Sequence, residues 1–141
     1  MPSSLPAMAF KNLFRSSEQS SDGLTQEARE AIVDVLHYCM YADRHIAARE
    51  DQFIEDEARK LDWDAKISYE YYEGKSTGAV SRALADPEAK TAFFETLRTR
   101  LTGEKERTLA LRLADELAKS DGARTEPEKA AIQEVRQALS L

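Results

Sequence analysis

The sequence predicts an all-α fold, a single compact bundle of about six or seven helices, and three observations lead to this prediction. Ala, Leu, Glu, Lys and Arg are strong helix formers and supply most of residues 24–139. Five glycines and four prolines in 141 residues leave room for long helices. Apolar residues recur at intervals of three and four, and no segment shows the period of two that a strand requires.

The N-terminal third divides into a lead-in and two helices. Residues 1–23 end in the Ser-rich polar stretch "RSSEQSSDG" and are interpreted as a flexible lead-in to a helical domain over residues 24–141. Thr25 can cap a first helix over residues 26–42, and a second helix is expected from about 48 to 61. Their predicted inward faces are Ala28, Ile32, Val35, Leu36 and Cys39 in the first helix, and Phe53, Ile54, Ala58 and Leu61 in the second.

The middle of the chain is less regular. The segment "DWDAKISYEYYEGKS" over residues 62–76 predicts a short helix that ends at Gly74, after which Ser76 opens a helix over residues 77–85. The run "YEYYE" suits either a partner surface or packing over the end of the bundle.

The C-terminal half carries clear helix starts. In "DPE" at 86–88, Asp86 suits an N-cap and Pro87 the first helical position, so a helix is expected from there to about Leu101. Another helix is expected from 104 to 120. The segment "TEPE" at 125–128 is a capping box that starts a last helix to about 139.

The sequence also repeats itself at an offset of 78 residues. Each of the two copies consists of an apolar helix, an Asp at the end of that helix and a Glu in the first turn of the next helix. The match predicts that the helix pair 26–61 is related to the pair 104–139 by a pseudo-twofold axis. The matched positions are Asp43 with Asp121, Glu50 with Glu128, Ile54 with Ile132, Leu61 with Leu139, Val35 with Leu113 and Cys39 with Leu117.

The repeated acids have two interpretations. They can be helix caps, because a carboxylate at a helix start accepts hydrogen bonds from free N–H groups and favours the positive end of the helix dipole. Alternatively, the two corners converge, and Asp43, Glu50, Asp121 and Glu128 share a divalent cation. Oxygen ligands favour Ca²⁺, with Mg²⁺ or Mn²⁺ as the less favoured ions.

The segments "YADRHIAAREDQFIEDEARKL" and "AKSDGARTEPEKAAIQEVRQAL" resemble the two Asp-x6-Glu segments of the tellurite-resistance TerB-like family. The resemblance covers residues 24–141 in helix order and spacing, although the first corner lacks the usual Gly after its Asp. It implies a small, non-catalytic helical protein linked to tellurite or other chemical stress. It also implies metal binding by acidic residues and a protein partner, with membrane-associated complexes among the partners of the family.

Charge and cysteine usage restrict the class of partner and the compartment. The formal charge of −6 and the absence of a basic run argue against a nucleic-acid partner and favour a cationic one. The lone Cys39 cannot form an intrachain disulfide, so the cytoplasm is the expected location. No run reaches the ~20 apolar residues of a transmembrane helix.

Other chemistry has little support in the sequence. Asp34 and His37 have the spacing found in di-iron bundles, but the position that matches His37 in the second copy is Asp115, so no second half-site exists. His45 is a candidate metal ligand or pH sensor, with a solvated loop histidine as the alternative. No catalytic motif is recognisable, so no enzyme is expected. The predicted function is a cation-binding module, and the alternative is a metal-independent interaction or scaffold domain.

Overall fold

The computed structural model describes residues 23–42, 48–120 and 125–141, and these residues form six α-helices and no strand. The predicted lead-in lies outside the described residues except for Gly23. The helices are α1 (Gln26–Tyr41), α2 (Ala48–Lys60), α3 (Tyr69–Ala85), α4 (Pro87–Arg100), α5 (Glu104–Lys119) and α6 (Glu126–Ala138). The predicted all-α bundle is therefore confirmed.

Helix α1 is the centre of the bundle. It packs against each of the other five helices, and eleven of its sixteen residues are buried. The predicted single apolar face of this helix was too narrow. The run "AIVDVLHYCM" is apolar around nearly the whole circumference of the helix, as is typical of a helix enclosed by others. Asp34 and His37 belong to this run and are therefore buried as well.

The predicted helix starts at Asp86 and Thr125 are confirmed in detail. The Asp86 carboxylate accepts a hydrogen bond from the amide of Ala89 at 2.8 Å. Thr125 accepts from the amide of Glu128 at 3.2 Å, and the Glu128 carboxylate accepts from the amide of Thr125 at 2.9 Å. Both helices have their proline at the N-terminal end, where the missing N–H costs nothing.

The predicted break at Gly74 is wrong. Helix α3 continues through Gly74 and Ser76, and its N-cap is Ser68, which accepts a hydrogen bond from the amide of Tyr71 at 3.1 Å. The reason is tertiary packing, because buried residues recur at helical spacing on both sides of the glycine and one continuous helix buries them all. These residues are Tyr69, Tyr72, Ser76, Val80 and Ala83.

The two repeated helix pairs make reciprocal contacts. Helix α2 packs on α1 and also touches α5, whereas α6 packs on α5 and also touches α1. Glu50 and Glu128 are the third residues of α2 and α6, and both are buried. These contacts are those that the predicted pseudo-twofold requires.

In the part of the chain that the structure describes, no helix combines the length and the apolar character that a membrane span requires.

Candidate functional site

The predicted four-carboxylate site is only partly covered by the described residues. Asp43 and Asp121 lie outside them. Glu50 is 1% exposed and Glu128 is 4% exposed, and the Glu128 carboxylate takes part in the capping box at the start of α6. The capping interpretation is thus confirmed for Glu128, and the shared cation among the four acids stays a prediction.

A different group of potential metal ligands lies where α1, α2 and α3 meet. His37 of α1, Asp51 of α2 and Glu73 of α3 each offer one ligand atom, and these atoms all lie within 4.8 Å of one another. His37 is buried, whereas Asp51 and Glu73 are half-buried. Among the described residues, this His37–Asp51–Glu73 cluster is the group of three or more His, Cys, Asp or Glu side chains with metal-binding spacing.

His37 is held at one ring nitrogen. Its Nδ1 lies 2.8 Å from the Ser76 hydroxyl, and that hydroxyl donates to Asp34 at 2.6 Å. The other nitrogen, Nε2, is buried and has no hydrogen-bond partner within the described parts of the chain. Burial lowers the pKa of His37 to about 4, although the charges of Asp34 and Asp51 act in the opposite direction. The imidazole is therefore neutral near pH 7.

Asp34 anchors this arrangement from inside the bundle. Its carboxylate accepts hydrogen bonds from the Tyr72 hydroxyl at 2.9 and 3.0 Å and forms an ion pair with Arg100 of α4 at 2.7 Å. Asp34 and His37 have the sequence spacing of a di-iron motif. In the structure the two side chains are instead joined through Ser76.

The two carboxyl groups of the cluster interact directly. Burial raises the pKa of Glu73 to about 7, and the hydrogen bond and the charge of Asp51 act in the same direction. Two carboxylates this close repel each other when both are ionised, so one of them retains a proton more strongly than usual. A cation in the same position would remove that repulsion.

Two tyrosines lie next to the cluster. The Tyr69 hydroxyl is buried and has no hydrogen-bond partner in the described chain, and burial followed by the charges of Glu73 and Asp51 raises its pKa. Tyr41 has a pKa raised by burial and then by the same two acids, and its ring centroid lies 6.3 Å from that of His37.

The spacing of the cluster is close to that of a metal site. Ligands at about 2.1 Å from a tetrahedral ion are separated by about 3.4 Å, so ligand atoms within 4.8 Å of one another need only small side-chain adjustments. One neutral imidazole and two carboxylates supply three ligands and leave a fourth position for water. The arrangement can hold a divalent cation.

Sequence reasoning missed Asp51, Glu73 and Ser76. Glu73 and Ser76 are three residues apart and so lie on the same side of α3, but the predicted break at Gly74 placed them in different helices. Asp51 follows Glu50 directly in the first turn of α2, where an acidic residue needs no ligand to account for it. The available signal was the pair Asp34 and His37, two polar residues in the otherwise apolar run "AIVDVLHYCM", because such residues require polar partners when buried.

Comparison with known proteins gives no assignment for this site. No family model, no curated protein and no solved structure matches the chain. The resemblance to TerB-like proteins therefore stays a prediction from the two Asp-x6-Glu segments.

Proposed function

We propose that this protein is a divalent-cation-binding helical module that acts without catalysis, and that the ion binds at the His37–Asp51–Glu73 cluster. The observation that carries the proposal is the convergence of one buried neutral imidazole and two carboxyl groups from three different helices. Ligands from separate helices make the bound ion a crosslink between them. Ion binding would therefore stabilise the bundle.

Electrostatics favours an ion at this place over a purely structural cluster. Burial, and then the hydrogen bond with Asp51 and its negative charge, raise the pKa of Glu73 to about 7. Within the described parts of the chain, no Lys or Arg side chain forms an ion pair with either of these acids. A dication supplies the missing positive charge and a partner for the His37 nitrogen.

The resemblance to TerB-like proteins supports the same class of function but points to different residues. It implies metal binding by acidic groups, whereas the cluster adds a histidine and uses Asp51 and Glu73 in place of the repeated acids. A link to tellurite or other chemical stress, a cytoplasmic location and a protein partner, including one in a membrane-associated complex, are parts of the proposal that rest on the sequence alone.

A titration tests the proposal on the full chain. Calorimetry and melting curves are recorded for the wild type and for Asp51→Asn with Glu73→Gln, using Zn²⁺, Mn²⁺, Ca²⁺ and Mg²⁺. The wild type should bind at least one of these four metals, with one ion per chain. Its free energy of unfolding should rise by about 2.7 kcal/mol when the free ion concentration is 100 times the dissociation constant. The double variant should lose this gain.

The matched control is Asp56→Asn with Glu88→Gln, which also removes two carboxylates. Both residues are exposed, so this variant should bind and respond as the wild type does. If no ion binds the wild type, or if both double variants lose binding equally, the cluster is not the site.

A metal-independent interaction domain is the second candidate. The observation in its favour is Tyr71 of α3, which is 69% exposed and has the Lys75 ammonium 5.7 Å from its ring centroid. Pull-downs with and without a chelator separate the two functions. Partners that are retained in the presence of the chelator and lost with Tyr71→Ser would support the second candidate.

A further inference from the structure

The chemistry of the cluster restricts the kind of ion, and this step rests on the proposed function. Ca²⁺ takes six to eight oxygen ligands, and Mg²⁺ prefers an octahedron of oxygens with several waters. The cluster offers three side chains, one of which binds through nitrogen. Imidazole with carboxylates suits Zn²⁺ and the neighbouring transition metals.

The hydrogen bonds around His37 determine which nitrogen is available. A serine hydroxyl has one proton, and Ser76 donates it to Asp34. Asp34 is ion-paired with Arg100 and so is present as the carboxylate acceptor. The contact between Ser76 and His37 must therefore run from Nδ1–H to the hydroxyl oxygen. This leaves the lone pair of His37 on Nε2.

The free lone pair is the observation that points to a ligand. Nε2 belongs to a side chain with 0% exposure and has no hydrogen-bond partner within the described chain. Buried nitrogens of this kind are rare, because an unmade hydrogen bond costs free energy. The buried Tyr69 hydroxyl is a second such group, and the charges of Glu73 and Asp51 act on it.

We infer that the cluster binds a transition-metal dication such as Zn²⁺ in preference to Ca²⁺ or Mg²⁺, through Nε2 of His37, and that Ser76 is a positioning residue. Ser76 does not contact the ion. It fixes the tautomer and the ring orientation of His37, because its hydroxyl donates its proton to the Asp34 carboxylate and can then only accept a hydrogen bond from Nδ1–H of His37. Metal-binding histidines generally donate their second N–H to an acceptor, and loss of that acceptor weakens metal affinity about 10–100-fold.

The first test reads the tautomer in the wild-type chain and uses a variant only to assign the signals. Long-range ¹H–¹⁵N spectra distinguish the two neutral tautomers of a histidine, and the chain has only His37 and His45, so His45→Ala assigns the signals. Metal-free protein should show His37 as the Nδ1–H tautomer. Zn²⁺ should shift the Nε2 resonance, and Ca²⁺ at the same concentration should not.

The second test measures Zn²⁺ affinity by calorimetry in the wild type, Ser76→Ala and Ser81→Ala. Ser81 is an exposed serine of the same helix and is the matched control. Ser76→Ala should bind about 10–100-fold more weakly and show mixed His37 tautomers, whereas Ser81→Ala should match the wild type. The tautomer readout separates positioning from a general loss of stability.

The outcomes distinguish this inference from the proposed function. If Ca²⁺ or Mg²⁺ binds the cluster as tightly as Zn²⁺ and Nε2 does not shift, the proposed function stands and the inference fails. If Ser76→Ala keeps both the Zn²⁺ affinity and the tautomer, the positioning role fails. If no ion binds at all, both proposals fail.

Discussion

At the scale of single residues, Asp34 is a buried charge that depends on the polar groups around it. Its side chain is 6% exposed and is surrounded by the Tyr72 and Ser76 hydroxyls and the Arg100 guanidinium. A carboxylate in such a place is stable only when its lone pairs and its charge are matched. The same carboxylate orients His37 through Ser76, so the stability of the core and the geometry of the cluster depend on one group.

Removal of Arg100 should therefore be costly. Arg100→Met leaves the Asp34 charge buried without its ion pair, and we expect the free energy of unfolding to fall by about 3 kcal/mol, because two hydroxyls still donate to Asp34. Urea denaturation measures this loss. The control is Arg112→Met, which breaks an exposed pair with Glu116 and should cost less than about 1 kcal/mol. Equal losses in the two variants would contradict the special role of Asp34.

At the scale of secondary-structure elements, α3 is the helix whose course depends most on packing. Its local sequence contains two glycines and three tyrosines, which are weak helix formers, and its buried stripe extends across both glycines. Continuity through Gly74 brings Glu73 and Ser76 to one side of the helix. The site therefore depends on an element that tertiary contacts, rather than local preference, hold in one piece.

Gly74 gives a direct test of this continuity. It is exposed in the interior of α3, and a Cβ built there meets nothing within 4 Å. Gly74→Ala should therefore raise the free energy of unfolding by about 0.5–1 kcal/mol, because alanine favours the helix and restricts the unfolded chain. Thermal and urea denaturation measure the change. A destabilised variant would instead support a helix end at Gly74, where an alanine would be strained.

The sequence predicted those features of the fold that depend on neighbouring residues in the chain. Asp86, Pro87 and the Thr125–Glu128 capping box act on their own helix ends, and the structure has them as predicted. The course of α3 and the burial of α1 on more than one face depend on distant partners, and the prediction failed there. The cluster joins residues 37, 51 and 73, so it becomes visible only when three helices have been packed together.

At the scale of the whole molecule, α1 makes the bundle a single cooperative unit. Every other described helix packs against it, so a change inside α1 affects all of them. The two repeated helix pairs share this centre through the contact between α1 and α5. Protonation of a buried group in α1 is for this reason expected to change global stability rather than local order.

The dependence of stability on pH tests this expectation in metal-free protein with chelator present. The pKa of His37 is about 4 in the fold against 6.5 ordinarily, so between these values the unfolded state binds more protons and stability falls with falling pH. The full effect is about 3 kcal/mol. Glu73 has the opposite sign, because its pKa is raised from 4.5 to about 7 and the fold gains stability as pH falls through that range.

Because Glu73→Gln removes the opposing titration of Glu73, this variant should show the full loss of stability that protonation of His37 causes at low pH. Its unfolding free energy should fall more steeply than that of the wild type between pH 6.5 and pH 4.5, as measured by urea denaturation at several pH values. Glu88→Gln, at an exposed position, should keep the wild-type profile. If the two variants have the same pH profile, Glu73 does not oppose His37.

The burial of α1 also determines how an ion would reach the cluster. His37 is 0% exposed in the central helix, whereas Asp51 and Glu73 are only half-buried and are therefore partly accessible to solvent. We therefore expect an arriving ion to meet the two carboxylates before it reaches the imidazole. We expect the association rate of the ion to depend on the charges of Asp51 and Glu73 and on the salt concentration. The dissociation rate of the ion should depend mainly on the bond to His37.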